Sequence, residues 1–238
     1  MTVAKPKRPK PARRSPVDKF DERREELAQA ALKTLSELGY ARTSLREIAQ
    51  NSDFSHGVLH YYFTDKVDLI MYCVKRYKTH CMTRYDEIVA SARTAEALRV
   101  GFGEGMAATL KAEAILHRLW YDLRTQSLFE ESFRADVAEI DQSLERMIWR
   151  IVTQYAVLSG SELGVTSAVA YAIFDGLFQQ ALLKFLSGQK QAVADLDRDV
   201  QRVLAELMPA RPKLPARGRA RFQGAQASPL RRALPKRA

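Results

Sequence analysis

Apolar residues recur three and four positions apart along most of this chain, which is the spacing of α-helices that bury one face. In residues 20–38, for example, Phe20, Leu27, Ala31 and Leu35 lie close to one stripe. No segment of useful length alternates apolar and polar residues as a strand does. The pattern therefore predicts an all-α protein, whose longer helices fall at residues 20–38, 66–91, 95–111, 113–127, 132–158, 163–187 and 190–207.

Two short helices are predicted between the first and second of these long ones, at about residues 44–63. The segment Ser44-Leu-Arg-Glu47 reads as a capping box, in which serine and glutamate satisfy each other's backbone amides at a helix start. Ser55 is placed to begin the second short helix. We expect both helices to pack through a shared apolar seam formed by Ile48, Ala49, Val58, Leu59 and Phe63.

The second short helix has an unusual outward face, because it carries Ser55, His56, His60 and Tyr61 together with Gly57. A glycine within a helix lowers the stability of that helix by up to about 1 kcal/mol relative to alanine, so its presence needs an explanation. A helix that enters the major groove of DNA gives one, because there the backbone must approach closely and polar side chains must reach base edges and phosphates. The pattern is typical of a helix-turn-helix.

Proline and charge divide the chain into a body and two arms. All nine prolines lie within residues 1–16 and 209–238. Residues 1–19 and 210–238 together carry sixteen Lys or Arg and one Asp, whereas the body carries a net charge of about −5, which returns the overall +10. We predict disordered basic arms at 1–19 and 209–238, which serve either as solubilising ends or as contacts for a polyanion.

The segment TSLREIAQNSDFSHGVLHYYFTDKVDLI resembles the N-terminal DNA-binding domain of the TetR-type transcriptional regulators. The likeness covers about residues 20–72, with two departures, Asp53 in the turn and His60 where the family often has tyrosine. The DNA-binding residues that this interpretation indicates are Ser44, Arg46, Ser55, His56, Gly57, Val58, His60, Tyr61 and Lys66.

The resemblance also implies that residues 73–208 form a larger helical domain for ligand binding and dimerisation. Helix 163–187 is apolar most of the way round, so it must be covered on two sides, either by its own subunit alone or also by a symmetry mate. We predict a homodimer with an interface formed by Val169, Ile173, Phe174, Leu177 and Phe178.

Aromatic and apolar residues between positions 102 and 149 are candidates for a small-molecule pocket, although helical spacing is also typical of ordinary core. The predicted ligand-binding residues are Phe102, Met106, Leu110, His117, Trp120, Tyr121, Arg124 and Trp149. The end of the chain's body is faintly similar to the choline-responsive branch of the family, and three of these aromatic residues could cage a cation.

The remaining signals favour a binding protein over an enzyme. Cys73 and Cys81 form no zinc or redox motif, and this use of cysteine is typical of proteins in the reducing cytoplasm. We predict no membrane span, secretory signal, cofactor or metal, and no catalytic residues. Gly101 to Gly105 fits close helix packing better than a nucleotide loop. The favoured hypothesis is a cytoplasmic, homodimeric repressor of a palindromic operator, released by an unidentified small molecule. The alternative is a non-specific nucleic-acid binder that acts through its arms.

Overall fold

The computed structural model describes residues 16–208, and it confirms the all-α prediction over that range. The predicted arms lie outside the described residues except for 16–19, which begin the first helix. In chain order the helices are α1 (Pro16–Leu38), α2 (Leu45–Gln50), α3 (His56–Tyr62), α4 (Lys66–Thr83), α5 (Asp86–Ser91), α6 (Ala95–Gln126), a 3-10 turn (Glu131–Phe133), α7 (Arg134–Ser159), α8 (Ser167–Leu186) and α9 (Ala192–Glu206).

α1 packs on α4 and forms a small N-terminal unit together with α2 and α3. α1 contacts α2 and α4, and α2 contacts α3. Ile48 of α2 and Leu59 of α3 are almost fully buried, and Phe63 closes the seam just after α3. Apolar burial of this kind contributes about 2 kcal/mol for each large side chain, which fixes the short helices to the longer ones.

The larger unit is built around α6, which packs against α7, α8 and α9. The glycines of α6 allow this close approach, as the sequence predicts. A Cβ at Gly103 would lie 2.4 Å from Asp197 Oδ1 on α9, and a Cβ at Gly101 would lie 2.9 Å from Ile88 Cγ2 on α5. A side chain at either position would force the neighbouring helix away.

One predicted helix boundary differs from the structure, and another is present as a kink. The single helix predicted over 66–91 is broken at Arg84 and Tyr85, because these two residues turn toward α6, where Arg84 pairs with Glu113 and Tyr85 packs on Phe102. The two helices predicted at 95–111 and 113–127 meet at a kink within α6, where Glu113 has non-helical backbone angles (φ −131°, ψ 20°) at the predicted joint.

α8 is apolar but only partly covered. It is the one helix in the described range 16–208 that is long and apolar enough to cross a membrane, although a third of that stretch is buried within the protein. Val169 and Leu183 are about half exposed or more, whereas Phe174 and Phe178 are buried. The prediction that Phe174 and Phe178 lie at a dimer interface is therefore wrong, because their rings fill the interior of the subunit.

Candidate functional site

The two short helices begin with the caps that the sequence predicts. Ser44 accepts a hydrogen bond from the Glu47 amide, and the Glu47 carboxylate accepts one from the Ser44 amide at 2.6 Å. Ser55 caps α3 by accepting from the Val58 amide at 3.3 Å. These caps fix where each helix starts, and therefore which residues of α3 face outward.

α3 presents a polar, exposed face. His56, Gly57, His60 and Tyr61 are all exposed, whereas Val58 is half-buried in the seam. The two histidine rings meet edge to face, with 4.5 Å between their centroids. Tyr61 is 73% exposed. A large aromatic side chain that projects so far from a short helix is available to a partner rather than to the core.

Aromatic neighbours support Tyr61 from one side. The ring of Phe20 on α1 lies 4.7 Å from the ring of Tyr62 and 6.2 Å from that of Tyr61. Phe20 was predicted only as part of the apolar stripe of α1. Its contact with α3 ties the first helix to the exposed face and limits the orientations that Tyr61 can adopt.

Lys66 does not have the free ammonium expected of a phosphate contact. It starts α4, but its Nζ donates to the backbone carbonyl of Tyr40 at 2.6 Å and lies 3.8 Å from the Tyr40 ring centroid. Burial lowers the pKa of Lys66, although nearby carboxylates, Glu130 foremost, oppose that effect. The structure therefore gives Lys66 a role within the protein, holding α4 to the turn after α1.

The same turn is attached to α6. The Tyr40 amide donates to Asp122 Oδ2 at 2.7 Å, and the Tyr40 hydroxyl donates to Glu130 at 2.8 Å. Gly39 has a left-handed backbone (φ 79°), and a Cβ there would lie 3.1 Å from Asp122 Oδ2. Arg118 also donates to the Ser36 carbonyl at the end of α1. Polar contacts therefore join the N-terminal helices to the middle of the larger unit.

A second candidate site is a cavity of about 60 Å³ between α4, α6, α7 and α8. We call it the central cavity. Met106, His117, Trp120 and Tyr121 line it, as the sequence predicts for a pocket. The other side chains on its wall are Lys78, Cys81, Arg84, Tyr85, Thr109, Leu144, Met147, Ile148, Tyr171, Phe174, Asp175 and Phe178.

Four predicted pocket residues do not line the central cavity. Phe102 and Leu110 are fully buried in the core, and Phe102 packs edge to face on Phe174. Trp149 packs against the core from its half-exposed position on α7. Arg124 instead pairs with Asp175 at 2.5 Å, and so acts on the cavity through that neighbour. The prediction that Trp149 forms part of an aromatic cage around the ligand is therefore wrong.

Two ion-pair networks flank the cavity. In one, Arg84 pairs with Glu113 at 2.6 Å, and the Tyr77 hydroxyl donates to the same carboxylate at 2.5 Å. In the other, Arg124 lies between Asp175 and Asp141, and the hydroxyls of tyrosines on α6 and α8 donate to these two carboxylates. Each carboxylate named here has a cation or a hydroxyl donor.

Three nitrogen-bearing side chains on the cavity wall lack such partners. Lys78 is 1% exposed, and within residues 16–208 its ammonium has no carboxylate at ion-pairing distance. It lies 4.9 Å from the Trp120 ring centroid. His117 Nε2 and Trp120 Nε1 are buried and make no hydrogen bond within the described range. Burial lowers the pKa of Lys78 to about 8 and that of His117 well below its usual value.

Cys81, Glu113 and His117 also come together at this point, each with one potential ligand atom within 4.8 Å of the others. The Glu113 carboxylate is held by Arg84, however, and the adjacent charges of Arg84 and Lys78 oppose a cation. Sequence reasoning missed this group because Cys81 comes from α4, whereas Glu113 and His117 come from α6.

Lys78, Arg84 and Asp175 were also missed. Charged residues on amphipathic helices usually face solvent, so their residue type argues against burial. Only Lys78 had a local signal, because it lies next to Tyr77 at the edge of the apolar stripe of α4.

The comparisons with known proteins agree with this arrangement. Residues 27–73 match the model of the family described as bacterial regulatory proteins, tetR family. A comparison with curated proteins found no match.

Solved structures with a similar fold span most of this chain. A regulator from Saccharomonospora viridis in complex with choline has a TM-score of 0.66 at 15% identity, covering 79% of this chain and 98% of that one. Salmonella enterica GusR has a TM-score of 0.65 at 15% identity, covering 79% and 96%. FadR from Bacillus subtilis, in complex with stearoyl-CoA, has a TM-score of 0.61 at 20% identity, covering 76% and 96%. Residues 27–73 therefore match the tetR family model, and the fold of the described residues is similar to that of these solved regulators.

Proposed function

We propose that this protein is a homodimeric, cytoplasmic repressor that reads a palindromic operator with α3 and releases it when a small molecule enters the central cavity. The observation that carries the DNA-reading part is the exposed face of α3. Three side chains able to hydrogen-bond to bases stand there beside a glycine, on a helix whose opposite side is fixed in the core. Ser44 and Arg46, both exposed, extend this surface from α2.

Dimerisation is supported by the uncovered apolar side of α8. Val169 and Leu183 are exposed on it, and a Cβ at Gly176 would meet no atom within 4 Å. Ile173 and Leu177 are half-buried on the same helix. A second copy of α8 would bury this surface and give two reading helices related by a two-fold axis, which suits a palindrome with half-sites roughly 34 Å apart.

Release by a small molecule is supported by the position of α4. This helix carries Lys66 at one end, against Tyr40, and Lys78 near the other, in the cavity wall. Ligand pockets are commonly about 300 Å³ or more, so an effector larger than the present cavity of about 60 Å³ must displace its walls. Movement of α4 or α6 would then shift the N-terminal helices. The solved structures with stearoyl-CoA and choline support a ligand site in this fold.

Selection of bound sequences from random DNA tests the proposal. We expect enrichment of one inverted repeat by the full chain. A matched protein that lacks residues 1–15 and 209–238 should enrich the same repeat, with a weaker dependence of affinity on salt. If removal of these segments abolished all sequence preference, the arms would be the nucleic-acid binders and the alternative function would hold.

A further inference from the structure

The central cavity has one charge on its wall that no residue within 16–208 neutralises through an ion pair. Arg84 and Asp175 also line the cavity, but Arg84 is paired with Glu113, and Asp175 is paired with Arg124. Lys78 has no ion-pair partner within residues 16–208, and its Nζ lies 4.9 Å from the centroid of the Trp120 ring. Burying an ammonium without a counter-charge costs free energy. A ligand that supplies the counter-charge removes this cost, and the recovered free energy adds to its binding affinity.

Two further nitrogens on the cavity wall are ready for the same ligand group. His117 Nε2 and Trp120 Nε1 are buried and have no hydrogen-bond partner within the described residues. The indole N–H is a donor only, and the imidazole can supply a donor in one tautomer. An ammonium and two ring nitrogens suit a group with two acceptor oxygens and a negative charge.

Most of the other side chains on the wall are apolar or aromatic. Phe178 packs on His117 with 4.5 Å between ring centroids. The other apolar side chains are contributed mainly by α6, α7 and α8, namely Met106, Leu144, Met147, Ile148 and Phe174. Such a wall favours a hydrocarbon or aromatic body over a sugar or a nucleotide.

Building on the proposed function, we infer that the effector is an apolar carboxylic acid, whose carboxylate binds the Lys78 ammonium while its hydrocarbon part lies against the apolar wall. A cationic effector would be repelled by Lys78. The carboxylate of Asp175 would not offset this repulsion, because it is already held by Arg124 and by the Tyr121 hydroxyl. A divalent metal at Cys81, Glu113 and His117 would have to displace Arg84 from Glu113. Both remain as outcomes of the test.

The experiment measures binding by calorimetry and by thermal shift on the full chain. The probes are octanoate, benzoate and phenylacetate, with octanol and benzyl alcohol as neutral counterparts, and choline and Zn²⁺ as the rival ligands. We expect at least one carboxylate to bind ten times more tightly than its alcohol, and this preference to weaken as the pH is raised from 7 to 9. If choline or Zn²⁺ binds and no carboxylate does, the inference is overturned.

Lys78→Met tests the residue, with Lys111→Met, at an exposed position of α6, as the matched control. We expect Lys78→Met to lose tenfold or more of the carboxylate affinity while keeping its affinity for the alcohol, and Lys111→Met to match the wild type. Lys78→Arg should retain part of the preference, which keeps the test available if the methionine variant fails to fold. Unchanged carboxylate affinity in folded Lys78→Met would contradict the inference.

DNA binding by the ligand-free protein is measured separately. Sequence-specific DNA binding without carboxylate binding would overturn the effector chemistry alone. Carboxylate binding without sequence-specific DNA binding would overturn the proposed function and leave the Lys78 site intact.

Discussion

The backbone amide of Tyr40 donates to the Asp122 carboxylate at 2.7 Å, across 82 positions of sequence. Tyr40 follows the end of α1, and Asp122 lies on α6 two positions after Trp120 of the central cavity. The carbonyl of the same Tyr40 accepts from Lys66 at the start of α4. One residue therefore joins the N-terminal helices to both of the helices that would move if the cavity expanded.

We expect Asp122→Ala to lower the free energy of unfolding by about 1–2 kcal/mol, because it leaves the Tyr40 amide without its acceptor. Thermal denaturation should show a midpoint lower by several degrees. Thr125→Ala is the control, since its hydroxyl bonds only to a carbonyl of its own helix. An Asp122→Ala midpoint no lower than that of Thr125→Ala would argue against the contact.

Lys78 should make stability rise with pH above neutrality. Burial lowers its pKa from 10.5 to about 8, so between these values the unfolded chain holds a proton that the native protein lacks. Stability therefore increases as the pH rises through this interval, and below about pH 8 the full cost of burying the ammonium is present. The groups that act on Lys78 are Cys81 of α4, Arg84 just after α4, His117 of α6, Asp141 of α7 and Asp175 of α8.

The measurement is chemical denaturation of the wild type and of Lys78→Met at pH 7 and pH 10. Tyrosines that titrate in this range are common to both proteins and cancel in the difference. We expect the wild type to gain roughly 2 kcal/mol relative to Lys78→Met over the interval. A constant difference would mean that Lys78 does not titrate from a buried position.

Gly57→Ala should separate folding from DNA binding. A Cβ at this position would meet only Ser55 Oγ, at 4.0 Å, so the free protein has room for it. Helix propensity then favours the variant by up to about 1 kcal/mol. If the α3 backbone approaches DNA at this point, the same methyl group should weaken operator binding about tenfold. A variant that is more stable and binds DNA as tightly as the wild type would place the backbone of Gly57 away from the duplex.

Gly176→Glu tests the proposed dimer surface on α8. The position is open in the subunit, so the substitution should not unfold it, whereas a glutamate opposite its own copy would oppose association. We expect sedimentation to show a dimer for the wild type and a monomer for Gly176→Glu. Ala138→Glu, at an exposed position of α7, is the control and should remain a dimer. A dimeric Gly176→Glu protein would place the interface elsewhere.

Local sequence signals predicted the N-terminal part of the fold well. The capping box at Ser44, the cap at Ser55 and the seam through Leu59 are set by residues only a few positions apart. The boundary that failed depends on a distant partner. The break at Arg84 follows from its pairing with Glu113, 29 positions later, which no local pattern reveals.

The candidate sites divide in the same way. The exposed face of α3 could be predicted because residues that face solvent and residues that form the apolar seam alternate with the period of a helix. The central cavity could be predicted only in part, because which face of α4 or α8 turns inward is decided by tertiary packing. Phe174 illustrates the difficulty, since an apolar ring on a helix that is apolar on most sides fits a core and an interface equally well.

The most direct test of the central claim is the affinity of His56→Ala and Tyr61→Ala for the selected operator and for a scrambled duplex, with Arg146→Ala on α7 as the exposed control. Each specific contact with a base contributes about 1–3 kcal/mol to the preference for the correct sequence. We therefore expect each α3 variant to bind the operator roughly tenfold or more weakly, with little change on scrambled DNA. Operator affinity equal to that of Arg146→Ala for both variants would show that α3 does not read the sequence.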